Sequence, residues 1–486
     1  MVLTKEWSTE AFRRQGEMVL KLLADFVDRG HRGEGGVVRV RPVDELARAM
    51  DLNGLMTGDT LDDQGLRALI ETFLAGATNV HHPSYMAHQI SVPHWGSALG
   101  DLISGVLANG MSVYEMGPAA GAMEITVIDW MLAKIGWQAT GRNGDNLPAA
   151  GATPGGGALT HGGSLANLTA MLAARAAAAP EAWERGTPSD LVVVAPACAH
   201  YSLSRAVAAM GLGTSALVAA PVDDFGRALP DELGACLDRI SDEGRRVMAV
   251  GVNACATATG LYDPVREVGE VCRERGLWFH VDGAHGASAL LSESEAWRLD
   301  GIELADSVVW DAHKLLRTSA LCAAVLVRDG RRLPGAFRQD AVYVTEGERE
   351  MGVDFIPQQF ECTKAPLGLK VMLVLALVGE EGLAENIATL WESTRLIHSA
   401  ITARDGFETL CEPESNILCF RCGDDGALQT LIRKRIMYEG EFLLSQADVG
   451  GRRWLRMAIM NPLTDVATVN RLLDRIEEMV AEDDGR

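Results

Sequence analysis

A lysine at the exit of an apolar run is the residue best placed to do chemistry in this chain. Lys314 follows Ser307-Val308-Val309-Trp310-Asp311-Ala312-His313 and stands 32 residues after Asp282, which ends a second apolar run, Leu277-Trp278-Phe279-His280-Val281. An ammonium group is rarely buried without a partner or a task. One such task is a Schiff base with pyridoxal phosphate, in which a strand-borne carboxylate faces the pyridine nitrogen. The competing reading is a surface lysine whose aliphatic stem lies along apolar neighbours. Asp282 needs a buried cation or a shared proton, and a pyridinium meets that need.

Three further segments carry weaker signals. Gly162-Gly163-Ser164 precedes a helical pattern, so glycine backbone, a hydroxyl and a helix N-terminus converge on a possible anion site. A plain glycine-rich turn explains the same text. No strand of convincing length leads into it, which weighs against a dinucleotide fingerprint. His200 follows Leu191-Val192-Val193-Val194 and suits stacking on an aromatic ring or acid catalysis, although a structural hydrogen-bonding histidine suits it too. Thr257, after Val247-Met248-Ala249-Val250, is either a donor to a cofactor oxygen or an ordinary turn residue.

These residues must be held by something, and the pattern says what. Short apolar runs at 191–194, 247–250, 277–281, 307–310 and 323–327 alternate with helical or loop stretches. Fully apolar strands between helices predict a mostly parallel sheet covered on both faces, with ligands at the carboxyl ends of strands. Asp282 and Lys314 fall at such ends. Helices are expected over 8–30, 61–74, 97–107, 124–135, 383–404 and 466–480, and strands at 417–420 and 454–458. The chain divides into a helical segment (1–85) that packs on a partner, a large α/β domain (86–375) and a small C-terminal α+β domain (376–486).

Composition narrows the classes. With 66 acidic against 44 basic residues in 486, the net charge of −22 argues against a nucleic-acid partner. No apolar stretch is long enough to span a bilayer, and the charged first residues lack a signal-peptide core. Nine scattered cysteines, with only Cys419 and Cys422 close together, read as reduced thiols and not as a metal site. A cytoplasmic location is expected.

In this order the segments closely resemble the group II pyridoxal-phosphate-dependent decarboxylases, the family of aromatic-amino-acid and glutamate decarboxylases. The matching text is His82-Pro83-Ser84-Tyr85, Tyr114-Glu115-Met116-Gly117-Pro118, Gly162-Gly163-Ser164, His200-Tyr201-Ser202, Thr257, His280-Val281-Asp282-Gly283-Ala284-His285, Asp311-Ala312-His313-Lys314 and Leu455 to Pro462. The resemblance implies the aspartate-aminotransferase fold (fold type I) and a homodimer with active sites at the interface. It implies that Lys314 forms the Schiff base, Asp282 pairs with the pyridine nitrogen and His200 stacks on the ring. Gly163, Ser164 and His313 would reach the phosphate, Thr257 would contact the ring hydroxyl side or the substrate carboxylate, and Ala284 would pack on the other ring face. The implied reaction is decarboxylation of an amino acid to a primary amine and CO2.

Three departures qualify the resemblance. His161 and Leu165 flank the Gly-Gly-Ser where many relatives carry a small residue and a Glu, and Lys364 stands where relatives usually have Arg. The segment 343–359 matches the family's mobile loop yet has no interior Tyr, with Phe355 near the expected place. Loss of that hydroxyl is linked in relatives to oxygen-dependent aldehyde formation, so an aldehyde synthase is the alternative activity. A non-catalytic dimeric relative acting as a binding protein is a third reading. Tyr85, Met86, His88 and Trp95 fall where relatives line the substrate pocket, and they suggest an apolar or aromatic side chain.

Overall fold

Valine- and alanine-rich runs, buried on both faces, build the centre of the molecule. The computed structural model describes residues 8–58, 60–144, 146–338 and 352–484. Seven strands, β1 (Gly156–Thr160), β2 (Leu191–Ala195), β3 (Leu217–Ala219), β4 (Arg246–Asn253), β5 (Trp278–Asp282), β6 (Ser307–Asp311) and β7 (Ala323–Val327), form one sheet. Its order is β1-β7-β6-β5-β4-β2-β3. The pairings from β3 to β6 are parallel, and β7 runs antiparallel to both β6 and β1. All five predicted strands of this unit are present. Parallel pairing buries both faces, which is why these strands read as unbroken apolar runs.

The expectation that no strand leads into the glycine turn is corrected, because β1 runs straight into it. A Cβ on Gly157 would lie 2.7 Å from the Val325 carbonyl oxygen, so the close approach of β7 demands glycine and hides the strand's apolar signal. Helix Gly163–Ala178 then packs across the sheet, and helix Pro118–Ile135 lies against β1 and β7.

A second, antiparallel sheet joins β8 (Phe407–Thr409), β9 (Ile417–Cys422), β10 (Ser445–Val449) and β11 (Arg452–Ala458) in the order β10-β11-β9-β8. Helix Leu367–Thr402 packs on β8 and β9, helix Gly426–Glu439 on β10 and β11, and helix Val466–Asp484 on helix Leu367–Thr402. Helix Leu367–Thr402 is broken at Gly379, whose φ of 73° lies outside the helical region, four residues beyond the expected boundary at 375. The Met86 N–H donates to the Leu443 carbonyl at 3.1 Å, and the Ala458 N–H donates to the Met86 carbonyl at 2.8 Å. This backbone tie attaches the end of the N-terminal segment to the second sheet.

Helices Thr9–His31 and Asp63–Gly76 pack on each other and leave Phe12, Leu20 and Phe73 exposed. Helix Trp95–Leu107 likewise exposes Trp95, Leu102, Val106 and Leu107. Among the described residues no helix is long and apolar enough to cross a membrane, and all nine cysteines are free thiols.

Candidate active site

The carboxyl ends of β5 and β6 open on a cavity of about 280 Å³. All eight residues singled out from the sequence line it: Gly163, Ser164, His200, Thr257, Asp282, Ala284, His313 and Lys314. They arrive from separate elements. Asp282 ends β5, Lys314 sits in the turn after β6, and Gly163 and Ser164 begin helix Gly163–Ala178. His200 caps helix Tyr201–Ala209, and Thr257 lies beyond β4.

Local chemistry holds each in place. Gly162, at the helix N-cap, has φ 102°, a backbone state open mainly to glycine, and this turns β1 into the helix. The N–H groups of Gly163 and Ser164 find no acceptor among the described residues, so they and the helix dipole are available to an anion. Asp282 is buried; its Oδ1 accepts the Ala284 N–H at 3.2 Å and its Oδ2 accepts Asn167 Nδ2 at 2.9 Å. No cation pairs with it among the described residues. Lys314 Nζ makes no hydrogen bond or ion pair there either. The turn that carries it is fixed by the Ala312 and His313 N–H groups, which donate to the Cys322 carbonyl at 2.9 and 3.1 Å. His313 Nδ1 is engaged by Asp311 and the Cys322 carbonyl, which leaves Nε2 as the ring's open nitrogen.

Burial sets the histidines. It lowers the His200 pKa, with Asp282 opposing and Lys314 reinforcing the shift. It pushes His285 down to about 3 and keeps that ring neutral, with Nε2 on Asn416 Oδ1 at 2.7 Å and Nδ1 buried without a partner. Cys255 lines the same cavity at φ 76°, a left-handed state unusual for a residue with a Cβ, and burial raises its thiol to about 11.

The set fits pyridoxal phosphate. A partnerless amine answers its aldehyde, a buried carboxylate without a cation answers its ring nitrogen, and unpaired helix N–H groups answer its phosphate. Fold and site together define a pyridoxal-phosphate enzyme of the aspartate-aminotransferase fold.

Residues 60–423 match the pyridoxal-dependent decarboxylase conserved domain. The chain belongs to that family and is a pyridoxal-phosphate-dependent amino acid decarboxylase. It is 28% identical to mouse cysteine sulfinic acid decarboxylase over 462 residues, covering 89% of each chain. It is 27% identical to L-2,4-diaminobutyrate decarboxylase of Acinetobacter baumannii over 437 residues, covering 85% of this chain and 83% of the relative. The crystal structure of mouse cysteine sulfinic acid decarboxylase in apo form superposes with a TM-score of 0.86 at 27% identity, covering 96% of this chain and 98% of the other.

Several sequence expectations move. Tyr85 and Met86 are buried in the core, Trp95 is exposed, and none of these or His88 lines the cavity, so the inference of an apolar substrate drawn from them loses its basis. Phe355 is also a core residue, packed with Met111, Ala120 and Ile125 and tied by its N–H to the Ser112 carbonyl at 2.9 Å. Its ring is buried away from the cavity. The remainder of that loop, 343–351, lies outside the described residues. Lys364 is likewise away from the cavity, paired with Glu124. His161 does line the cavity, and its Nδ1 meets Glu361 Oε1 at 2.6 Å.

Sequence reasoning missed two residues. Asn167 holds Asp282 from one turn into the helix, and its position three residues after Ser164 was the available signal. Arg456 is buried with no carboxylate partner. Its Nε donates to the Thr257 carbonyl at 2.8 Å, its Nη1 donates to Ala87 O at 3.1 Å and Ser445 Oγ at 3.0 Å, and its Nη2 is left unpaired. A charged residue inside the apolar run Trp454-Leu455-Arg456-Met457-Ala458 was its signal.

Proposed function

We propose that the chain decarboxylates an acidic L-amino acid to its primary amine, with Lys314 as the cofactor lysine. Bound pyridoxal phosphate supplies an aldehyde for an amine and a ring that accepts the electron pair left when the carboxylate departs. Asp282 holds a proton at the pyridine nitrogen, while His200 and Ala284 cover the two ring faces. The N–H groups of Gly163 and Ser164, with His313, bind the phosphate. Thr257 orients the ring hydroxyl side or the substrate carboxylate.

Arg456 and Arg433 stand outside the cavity lining, but Arg456 is tied to it through the carbonyl of Thr257, and its unpaired Nη2 there carries the acidic preference. Arg433 adds to it. Both guanidinium groups act on His88 and reinforce the lowering of its pKa by burial, and neither has a carboxylate partner among the described residues. Any amino acid brings one carboxylate; two guanidinium groups without an anion favour a ligand that brings a second. A panel of acidic, basic, aromatic and aliphatic amino acids, scored for CO2, amine and hydrogen peroxide, tests this. We expect acidic substrates to lead in kcat/KM, with amine as product. Arg456→Met should cost about 10²-fold or more, the loss of a buried charge-assisted pair. Preference for a diamino or aromatic substrate would reject the acidic reading, and stoichiometric peroxide would favour the aldehyde synthase.

A homodimer in a reducing, cytoplasmic setting completes the proposal. Leu321 lines the cavity and is 50% exposed, so the rim adjoins the outer face. The exposed apolar side chains of helix Trp95–Leu107 and of the N-terminal helices need cover. In this division residues 1–85 are the helical dimerisation segment, 86–375 the cofactor-binding α/β domain and 376–486 the small α+β domain. Sedimentation should give twice the chain mass for the wild type, and Leu102→Glu should shift it toward the monomer. A wild-type monomer at micromolar concentration would overturn the dimer.

A further inference from the structure

We infer that Asn167 is a positioning residue whose amide ties Asp282 to His200 through Ser202 and so fixes the protons of both. Its Nδ2 lies 2.9 Å from Asp282 Oδ2 and 2.9 Å from Ser202 Oγ, and its Oδ1 lies 2.9 Å from His280 Nε2. All three links are buried. The inference rests on the proposed roles of Asp282 and His200 toward the cofactor.

The direction of every bond follows from its ends. A carboxylate only accepts, so the amide atom facing Asp282 is the NH2 group. The second N–H of that group then goes to Ser202 Oγ. At the far end the Ser202 backbone N–H donates to His200 Nδ1 at 3.3 Å, so Nδ1 carries no proton. The Ser202 hydroxyl, 2.7 Å from the same nitrogen, must therefore also donate to it, and its oxygen is free to accept from Asn167. His200 is left with its proton on Nε2.

The opposite branch agrees. With both amide protons spent, Asn167 Oδ1 accepts from His280 Nε2–H. Burial lowers the His280 pKa to about 4, so the ring is neutral and its Nδ1 accepts. Ser307 Oγ, 2.8 Å from that nitrogen, donates to it and receives the indole N–H of Trp278 at 2.8 Å. An indole N–H only donates, so this end is fixed as well. The chain runs one way from Trp278 through Ser307 and His280 to Asn167, then forks to Asp282 and to Ser202 and His200. A fully satisfied buried network of this kind specifies one arrangement.

The protein supplies three consequences. Asp282 is held as an acceptor by an amide that itself lines the cavity. His200 is held as the Nε2–H tautomer. The two are coupled, so disturbing one amide disturbs both sides of the cofactor site. The charged and titratable groups facing this network are His200, His280, Lys314, Asp311 and Arg205.

The test is the dissociation constant of pyridoxal phosphate for the full-length protein, measured by equilibrium dialysis at about pH 6 and pH 9 for wild type, Asn167→Ala, Asn167→Asp and Ser202→Ala. Asn167→Ala should weaken binding about 10- to 100-fold relative to wild type at both pH values, the loss of a hydrogen bond to a charged group. Asn167→Asp has the same shape but places a carboxylate against Asp282. Two facing carboxylates share one proton, and the shared proton restores a donor to Asp282. Its binding should therefore approach wild type within about threefold at pH 6 and fall to the alanine level or below at pH 9. Ser202→Ala should weaken binding less than Asn167→Ala, because only the His200 arm is lost. A merely structural asparagine gives no pH-dependent rescue. Circular dichroism melting confirms that each variant is folded, and the aspartate variant at pH 6 serves as the folded control if the alanine variant is not. If wild type binds and both Asn167 variants match it at both pH values, the inference is overturned and the proposed function stands. If wild type itself does not bind the cofactor, both fall.

Discussion

Lys314→Ala is expected to lower the rate of CO2 release by roughly 10³-fold or more while leaving the fold intact. Lys314 is the amine in the cavity, and Nζ spends no hydrogen bond on the protein, so its removal takes chemistry without taking structure. The melting temperature should move by only a few degrees, the range for losing a side chain that holds nothing together. Lys314→Arg should fail almost as completely. A guanidinium keeps its proton at neutral pH and cannot serve as the amine nucleophile, although it preserves the charge. Borohydride reduction of the wild-type holoenzyme, followed by peptide mapping, should put a pyridoxyl group on the peptide carrying Lys314 and on none other. A variant retaining more than a tenth of the activity, or a label on a different lysine, would sink the assignment.

Lys314 and Asp282 were legible because each breaks an apolar run at a strand exit, where burying a charge is costly without a reason. The same contrast placed β2, β4, β5, β6 and β7, since strands buried on both faces cannot hide among polar text. β1 escaped because glycines replace its apolar side chains where β7 comes close, and β3 escaped because three residues carry no periodicity. Tyr85, Met86 and Phe355 misled for a common reason. Aromatic and apolar side chains belong to cores as readily as to pockets, and nothing in the order of residues says which face they meet. Arg456 and Asn167 depend on tertiary partners from distant segments, Thr257 and Ala87 for the first and Asp282 and His280 for the second. Spacing along the chain does not encode such meetings.

Breaking the Glu124–Lys364 pair should destabilise the protein more than any other single change described above. Both side chains are 0% exposed. Lys364 Nζ donates to Glu124 Oε1 and to the Leu159 carbonyl, and the Leu159 N–H donates to Glu124 Oε1 at 2.9 Å. Leu159 lies in β1, the edge strand that pairs only with β7, so the ion pair satisfies backbone groups that the sheet leaves open. Both the Lys364 ammonium and the Leu159 N–H meet Glu124 Oε1, while Oε2 is buried without a partner, an acceptor that arginine's fork would reach and a point charge does not. Lys364→Met would leave the Glu124 carboxylate buried without a cation, at a cost of about 3–5 kcal/mol. Scanning calorimetry should register this as a fall of roughly 3–5 °C in Tm. The double variant Lys364→Met with Glu124→Gln should recover most of that fall, because it removes both charges together. Since β1 leads directly into the Gly162–Gly163 turn, Lys364→Met should also loosen pyridoxal phosphate, and the double variant should retighten it. A single variant melting within about 1 °C of wild type, or a double variant no better than the single, would show that the pair does not clamp this edge.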